Sequence, residues 1–142
     1  MSKVVSALSI ALAAFLYGGA CFAQATVAEL TTQGAKKLST DELQKLHAGG
    51  VTQKGTTRTG ADYTQQNKPD GSVSGNAQSA RGSAGLYGTW KIEDSGKLCL
   101  DLKTTSGGTL QSCFFVWTLG DKYFSTVEDV AATEARPIQF IK

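Results

Sequence analysis

Histidine and cysteine, the residue types best suited to chemistry, are scarce in this sequence. The chain of 142 residues contains one histidine, His47, and three cysteines, Cys21, Cys99 and Cys113. A Ser-His-Asp or Cys-His arrangement would require His47, which stands in no motif typical of nucleophilic catalysis. The residue lies near the expected end of a short helix, where a histidine more often caps or packs than reacts. We therefore predict no catalytic residues of this kind.

The acidic residues give no stronger indication of a catalytic or metal site. They are scattered and mostly adjoin turns, where aspartate bonds to nearby backbone groups. The adjacent pairs Glu93-Asp94 and Glu128-Asp129 are interpreted as solvated strand ends rather than acid–base pairs. EF-hand spacing and a glycine-rich phosphate loop are both missing from the sequence. The sequence predicts no enzyme, no cofactor and no metal site, and an enzyme that uses scattered carboxylates is the remaining alternative.

Cys99 and Cys113 are predicted to oppose each other in a hairpin. Runs 87–93, 97–103, 110–119 and 122–128 alternate in polarity between glycine-containing turns, which is typical of an antiparallel meander. Opposed residues in a non-hydrogen-bonded pair have Cα atoms ~4.5 Å apart, a separation that a disulfide can span. Two inert thiols are the alternative in a reducing compartment. This register gathers one apolar face, predicted to contain Trp90, Ile92, Leu98, Leu100, Leu102, Leu110, Phe114, Val116 and Val127.

The opposite face of the same sheet is partly apolar as well. It carries Phe115, Trp117, Leu119 and Phe124, an unusual group for a surface in contact with water. One interpretation is that an N-terminal helix covers these side chains. The other is that they form a contact patch for an envelope protein or a small apolar ligand.

The N-terminus has the features of a secretory signal peptide. A positive charge at Lys3 precedes an apolar run, residues 4–17, that is too short to span a membrane. Small residues allow cleavage after Ala23 or after Ala25, so residues 1–25 are predicted to be removed and residues 26–142 to form one domain. An uncleaved anchor and lipidation of Cys21 are the alternatives. Cleavage would leave Cys99 and Cys113 in an oxidising compartment, which favours their disulfide.

The charge balance predicts no nucleic-acid partner. The chain has 14 basic and 12 acidic residues, and no long basic run or stripe of basic and aromatic residues. Beyond the N-terminus, the mature chain has no segment that could span a membrane.

The remaining elements are shorter or less regular. Ser39 and Glu42 fit a capping box for a helix that stops at Gly49-Gly50, and Thr40 and Asp41 are the alternative N-cap residues. Residues 28–38 are a candidate for a further helical turn. Segments 51–58, 61–66 and 72–78 are predicted strands, and Pro69-Asp70-Gly71 indicates a turn. Segment 76–84 is interpreted as a mobile loop, and residues 137–141 as a last strand that could close a barrel. The expected fold is mainly β, a small antiparallel barrel or sandwich with one short N-terminal helix and one cross-strand disulfide.

Between Leu38 and about Glu128 the sequence resembles small secreted proteobacterial proteins known as a domain of unknown function. The resemblance rests on Leu38-Ser39-x-x-Glu42-Leu43-x-x-Leu46, Gly50, Tyr63, Pro69-Asp70-Gly71, Gly88-Thr89-Trp90, Cys99, Cys113 and Gly120-Asp121-Lys122-Tyr123. It implies export and a β-rich fold, and it supplies no activity.

A second resemblance, through Gly88-Thr89-Trp90 and the cysteine pair, is to lipocalin-like periplasmic inhibitors of secreted peptidases. In this chain the tryptophan does not open the mature sequence, and no inhibitory residues carry over. We expect a secreted or periplasmic non-enzymatic binding or accessory protein. The alternatives are an inhibitor of an envelope hydrolase, such as a peptidase or lysozyme, and a protein anchored through a lipid on Cys21.

Overall fold

The structure is a computed structural model that describes residues 25–142. The predicted signal peptide and Cys21 therefore lie outside the described residues, except for Ala25. Residues 25–142 form two helices and nine strands. These are α1 (Val27–Thr32), β1 (Lys36–Lys37), α2 (Thr40–His47), β2 (Val51–Thr56), β3 (Asp62–Asn67), β4 (Ser72–Ser79), β5 (Gly82–Ile92), β6 (Leu98–Thr104), β7 (Thr109–Leu119), β8 (Lys122–Thr126) and β9 (Arg136–Ile141).

Strands β2 to β9 form a closed antiparallel barrel. Each strand pairs with the next along the chain, and β9 returns to pair with β2, where Gly55 opposes Ile138. This closure confirms the mainly β prediction and makes the fold a barrel instead of a sandwich. The two-residue strand β1 adds to β7 through Lys36 and Lys37. Two short helices are present where one was predicted.

The predicted register of the central hairpins is confirmed. Cys99 opposes Cys113, and their sulfur atoms form a disulfide of 2.07 Å. On either side of this pair, Leu98 opposes Phe114 and Leu100 opposes Ser112. A shift of one residue would have exchanged the two faces of the sheet, so the alternating apolar pattern was sufficient to fix the pairing.

The strands are steeply staggered around the barrel. A path can be traced from Leu119, the last residue of β7, by moving from each residue to its partner on the next strand. After one circuit of the barrel wall the path reaches Thr105, in the turn between β6 and β7. The positions passed on the way are Lys122, Gln139, Lys54, Thr64, Asn76 and Gly85. The step from Lys122 to Gln139 extends the β8–β9 register by one position beyond Tyr123 and Ile138, and the Gly85 carbonyl accepts a bond from the Thr105 amide. Because greater stagger widens a barrel of fixed strand number, the interior has room for side chains of α2.

The barrel interior holds the main apolar cluster. Helix α2 lies at the end of the barrel where β2 begins and β3 ends, and it contributes the fully buried Leu43. The capping box predicted at its start is confirmed, because the Ser39 side chain accepts from the Glu42 amide while the Glu42 carboxylate accepts from the Ser39 amide. The remaining buried members of the cluster are Val73, Leu98, Leu100, Leu102, Phe114, Val116 and Ile138.

Two residues predicted for this apolar face lie in solvent. Leu110 is 41% exposed and Val127 is 46% exposed. Leu110 stands near the beginning of β7, and β8 ends at Thr126, one residue before Val127. Both side chains therefore lie at the limits of their strands, where the cluster no longer reaches them.

The prediction of a mobile loop at residues 76–84 is wrong. Strand β4 continues to Ser79 and β5 begins at Gly82, so that the segment is a hairpin with a short turn. No residue between positions 76 and 84 is buried, so this hairpin lies beyond the apolar core and lacks the apolar periodicity that normally reveals a strand. Close strand contact occurs at two glycines outside the segment. A Cβ atom on Gly75 would lie 2.3 Å from the Thr64 carbonyl oxygen, and one on Gly88 would lie 2.0 Å from the Asp101 carbonyl oxygen, so larger side chains are excluded there.

Candidate functional site

The disulfide lies on the outer surface of the barrel wall. Cys99 is buried, whereas Cys113 is exposed, and the Glu93 carboxylate lies within 4.8 Å of both sulfur atoms. A disulfide offers no thiolate, and the thiolate is the form of cysteine that binds metals. This group of side chains therefore joins β6 to β7 and provides no metal ligands in its oxidised form.

Helix α1 covers the predicted aromatic contact patch. Phe115 is 7% exposed and Trp117 is 8% exposed, because Val27 and Leu30 of α1 pack over them. The indole Nε1 of Trp117 donates a buried hydrogen bond of 2.9 Å to the Thr126 hydroxyl. These side chains are interior groups of a second apolar cluster, as in the interpretation in which an N-terminal helix covers them.

The other two residues of the patch, Leu119 and Phe124, are half-buried at the margin of this outer cluster. The helix that covers the patch is α1, which begins at Val27 and overlaps the segment 28–38. For that segment the sequence indicated only a candidate helical turn. Helix α2, the predicted helix, enters the barrel interior instead.

Backbone bonds and ion pairs hold this cover in place. The Val27 amide donates to the Thr133 carbonyl at 2.9 Å, and the Ala135 amide donates to the Ala25 carbonyl at 2.7 Å. Two ammonium groups lie over the Phe115 ring, that of Lys37 at 4.6 Å from the ring centre and that of Lys97 at 5.0 Å. Each is paired with an acidic residue of the chain that follows β8, Lys37 with Asp129 and Lys97 with Glu128.

A connected group of buried polar side chains lies inside the barrel. Asn67 donates to the Gln53 amide oxygen at 3.1 Å and accepts from Gln65 at 2.9 Å. Gln53 donates in turn to the Tyr63 hydroxyl at 2.9 Å. The Nε2 atom of His47 lies 3.4 Å from the Asn67 amide nitrogen, which joins α2 to the network. Among residues 25–142, every buried side-chain nitrogen and oxygen atom has a hydrogen-bond partner.

The hydrogen bonds of His47 define its tautomer. Its Nδ1 atom lies 2.9 Å from the Leu43 carbonyl oxygen, which can only accept, so Nδ1 carries the hydrogen. Nε2 is then free to accept from Asn67, and the ring is neutral. Burial lowers the pKa of His47, and the bond to the Leu43 carbonyl opposes this effect in part. The ring also packs against Trp90, with centres 4.7 Å apart. His47 therefore packs and bonds internally.

Sequence reasoning missed this network. It predicted strands of low apolar content at residues 51–58 and 61–66 and assigned them no inner face. The signal lay in the alternation: Val51 and Gln53 on β2, and Gln65 and Asn67 on β3, are the buried positions. An amide side chain at a buried position requires partners, so two such strands side by side indicate a hydrogen-bonded network.

A cleft of about 1010 Å³ opens on the side of the barrel formed by β8, β9 and the β2–β3 turn. This volume is at the upper limit of the ~300–1,000 Å³ typical of small-molecule sites. The cleft combines aromatic and aliphatic residues with basic ones and with Asp121. Phe124 belongs both to the cleft and to the predicted contact patch. The cleft is also lined by Arg58, Lys122, Arg136, Pro137 and Ile141.

Basic residues of this side lack acidic partners. In the register, Lys122 of β8 extends the β8–β9 pairing opposite Gln139, and Gln139 opposes Lys54 of β2, which places two lysines on either side of one glutamine. Within the described part of the chain, neither lysine forms a salt bridge, and the same is true of Arg58. Arg136 differs, since it pairs with Glu134 at 3.3 Å.

The comparison with protein families gives a match over residues 13–133, to a family described as a protein of unknown function, DUF995. This chain belongs to the DUF995 family. The predicted domain-of-unknown-function membership is thereby confirmed, and the similarity to lipocalin-like inhibitors stays a prediction. No curated protein and no solved structure matches the chain. Among residues 25–142, no helix is long and apolar enough to cross a bilayer.

Proposed function

We propose that this DUF995 protein is an exported, non-enzymatic binding protein of the cell envelope and that the cleft on β8, β9 and the β2–β3 turn is its recognition site. The observation that carries the proposal is the cleft itself, in which exposed apolar residues adjoin basic residues without acidic partners. Concave sites that combine apolar surface with a few polar groups are the usual form of ligand sites. The features of residues 1–25 support export.

The barrel interior and the outer aromatic surface are both filled by the chain's own side chains, which supports this choice. The interior is occupied by the apolar cluster and the polar network, whose Gln53, Gln65 and Asn67 side chains are at most 2% exposed. The outer aromatic surface is covered by α1. Ile141, in comparison, lines the cleft and is 44% exposed at the end of β9. A ligand reaching the folded protein would therefore meet apolar surface at the cleft.

Native mass spectrometry of the protein purified gently from its own envelope tests the proposal. We expect extra mass on the wild-type protein, lost in Ile141→Asp and kept in Val130→Asp. Val130 is a matched control because it is 60% exposed and lies outside the cleft. Both variants should keep the wild-type melting temperature. A wild-type chain without extra mass, or extra mass that survives Ile141→Asp, would contradict the proposal. A bound hydrolase would favour the inhibitor alternative instead of a small ligand.

The mass of the bare chain tests export in the same spectrum. Cleavage after Ala23, cleavage after Ala25 and lipidation of Cys21 each give a different mass. Cleavage after Ala23 would keep Ala25, whose carbonyl accepts from the buried Ala135. Cleavage after Ala25 would leave that amide without its partner, at a cost of about 1–3 kcal/mol for a buried donor. We therefore expect a mature chain that begins at Gln24, and a full-length mass would contradict export by signal cleavage.

A further inference from the structure

The outer surface of β8 and β9 presents an apolar strip. Phe124 of β8 opposes Pro137 of β9, and Ile141 follows at the end of the same strand. Pro137 and Ile141 are exposed, and Phe124 is half-buried. Alternate residues of a strand share a face, so Pro137, Gln139 and Ile141 lie along one side of β9. The strip is suited to a short apolar chain lying against the strand.

A row of basic side chains crosses this strip. Lys122, Gln139 and Lys54 occupy neighbouring positions on three adjacent strands, and both lysines are exposed. Neighbouring strands are ~4.8 Å apart, so the two lysine backbones lie roughly 10 Å from each other. Lys122 and Arg58, which lies in the turn after β2, line the cleft, and Lys54 lies beside it, opposite the lining residue Gln139. Asp121 is the acidic residue of the lining, so the positive charge around the apolar strip is in excess.

We infer that the ligand of this cleft is a small amphiphile, one acyl chain with an anionic head group. The inference rests on the proposed function, because it names the ligand of the same site. Lys54, Lys122 and Arg58 would bind the head group by charge-assisted hydrogen bonds, and Pro137, Ile141 and Phe124 would contact the chain. A neutral amphiphile would desolvate the lysines without replacing their interactions with water, and a cationic one would be repelled.

Isothermal titration calorimetry with three C12 amphiphiles, all below their micelle concentrations, tests the ligand class. The probes are dodecanoate, its neutral glycerol ester and dodecyltrimethylammonium. We expect dodecanoate to bind at least tenfold more tightly than the ester, and the cation to show no binding. Added salt should weaken dodecanoate binding, because the lysines are exposed and their charges are screened. Equal affinity for dodecanoate and the ester would overturn the inference.

Charge-neutralising variants locate the head group. The double variant Lys54→Gln/Lys122→Gln is expected to lose dodecanoate affinity at least tenfold. Its control, Arg81→Gln/Lys103→Gln, removes the same charge from exposed positions outside the cleft and should bind as the wild type does. Equal losses in both double variants would show a nonspecific charge effect and would overturn the inference.

The two proposals fail in different ways. If none of the three amphiphiles binds while the envelope ligand of the native spectrum is still lost in Ile141→Asp, the recognition site stands and the ligand class is wrong. If Ile141→Asp changes neither the affinity for dodecanoate nor the extra mass of the native spectrum, the site itself is wrong and both proposals fall.

Discussion

The two faces of β7 are both buried, but they are covered in different ways. Phe114 and Val116 point into the barrel, where the surrounding strands and α2 enclose them. Phe115 and Trp117 point outward and are covered mainly by α1, a helix of 6 residues. Exposing the inner pair requires the barrel to open. Exposing the outer pair requires only that α1 and its backbone bonds to residues 131–135 detach.

Burial of a side chain and the stability of the unit that buries it are therefore separate properties. Residues with the same small exposed fraction can lie in units that open at very different free-energy cost. A helix of 6 residues has no stability of its own, so α1 depends entirely on its docking. We therefore expect the inner cluster to report global unfolding and the outer cluster to report a local opening. Substitutions in both helices and a pH series distinguish these two kinds of opening.

The largest effect is expected from shortening a leucine in each helix. Leu43 of α2 and Leu30 of α1 are both 0% exposed. Leu43→Ala should lower the free energy of unfolding by about 3–4 kcal/mol, as for a core cavity, and Leu30→Ala by about 2 kcal/mol, because the cover can detach instead. Urea unfolding measures both values. Hydrogen exchange should become faster at residues 131–135 in Leu30→Ala alone. Equal losses of unfolding free energy in the two variants, without faster hydrogen exchange at residues 131–135, would mean that the two faces of β7 unfold as one cooperative unit.

Acid should act on the inner region first. The lowered pKa of His47 means that the unfolded chain binds the proton more tightly, so stability falls as pH decreases below the ordinary value of 6.5. The lowered pKa of Asp129, which results from its bond to Lys37, delays loss of the outer ion pair until pH falls below 3.8. Thermal unfolding between pH 7 and 5 should show a declining melting temperature.

The variant His47→Gln separates this effect from general acid sensitivity. It should melt lower than the wild type at pH 7, because the network loses a partner, but its melting temperature should change less between pH 7 and 5. A parallel decline in both proteins would exclude His47 as the origin of the acid sensitivity. The His47 ring resonances in NMR spectra would show directly whether the ring stays neutral in the folded state at pH 6.

The smallest effect is expected at the two helix caps. Ser39 and Thr26 each accept from the amide three residues later in a capping box. Ser39→Ala should cost about 1 kcal/mol of global stability, the usual loss for such a cap. Thr26→Ala should lower the free energy of global unfolding by only a few tenths of a kcal/mol, because α1 already opens locally. The same variant should increase amide hydrogen exchange within α1. A loss of global stability for Thr26→Ala as large as that for Ser39→Ala would show that α1 opens only when the barrel unfolds.

Local patterns were sufficient to predict the central hairpins. Alternation fixed the pairing of Cys99 with Cys113, and Ser39 with Glu42 marked the start of α2. The same reasoning could not decide what covers the second face of β7, because its apolar side chains fit a covering helix and a contact surface equally well. It also failed at residues 76–84, because none of these residues is buried and a hairpin without a buried face leaves no periodic apolar signal.

The cleft could not be predicted, because it is assembled from distant parts of the chain. Thr56 and Arg58 come from β2 and its turn, whereas Lys122 and Ile141 come from β8 and β9. They become neighbours only when β9 pairs with β2. The sequence suggested that residues 137–141 could close a barrel, but no local pattern named the partner strand. Long-range pairing of this kind depends on the whole topology and not on any one segment.

Closure between β9 and β2 also sets an order on folding. Strand β2 can pair along its second edge only after β9 has been synthesised, because Thr52 pairs with Ile141 and Gly55 pairs with Ile138. Pairing at such sequence distance is slow, and open strand edges favour aggregation in the interval. A ribosome-bound chain would therefore have an open barrel until residues 136–141 emerged. Pairing of residues 136–141 with β2 and β8 therefore closes the open sheet into the native barrel. We expect a chain that lacks these residues to aggregate or to depend on chaperones.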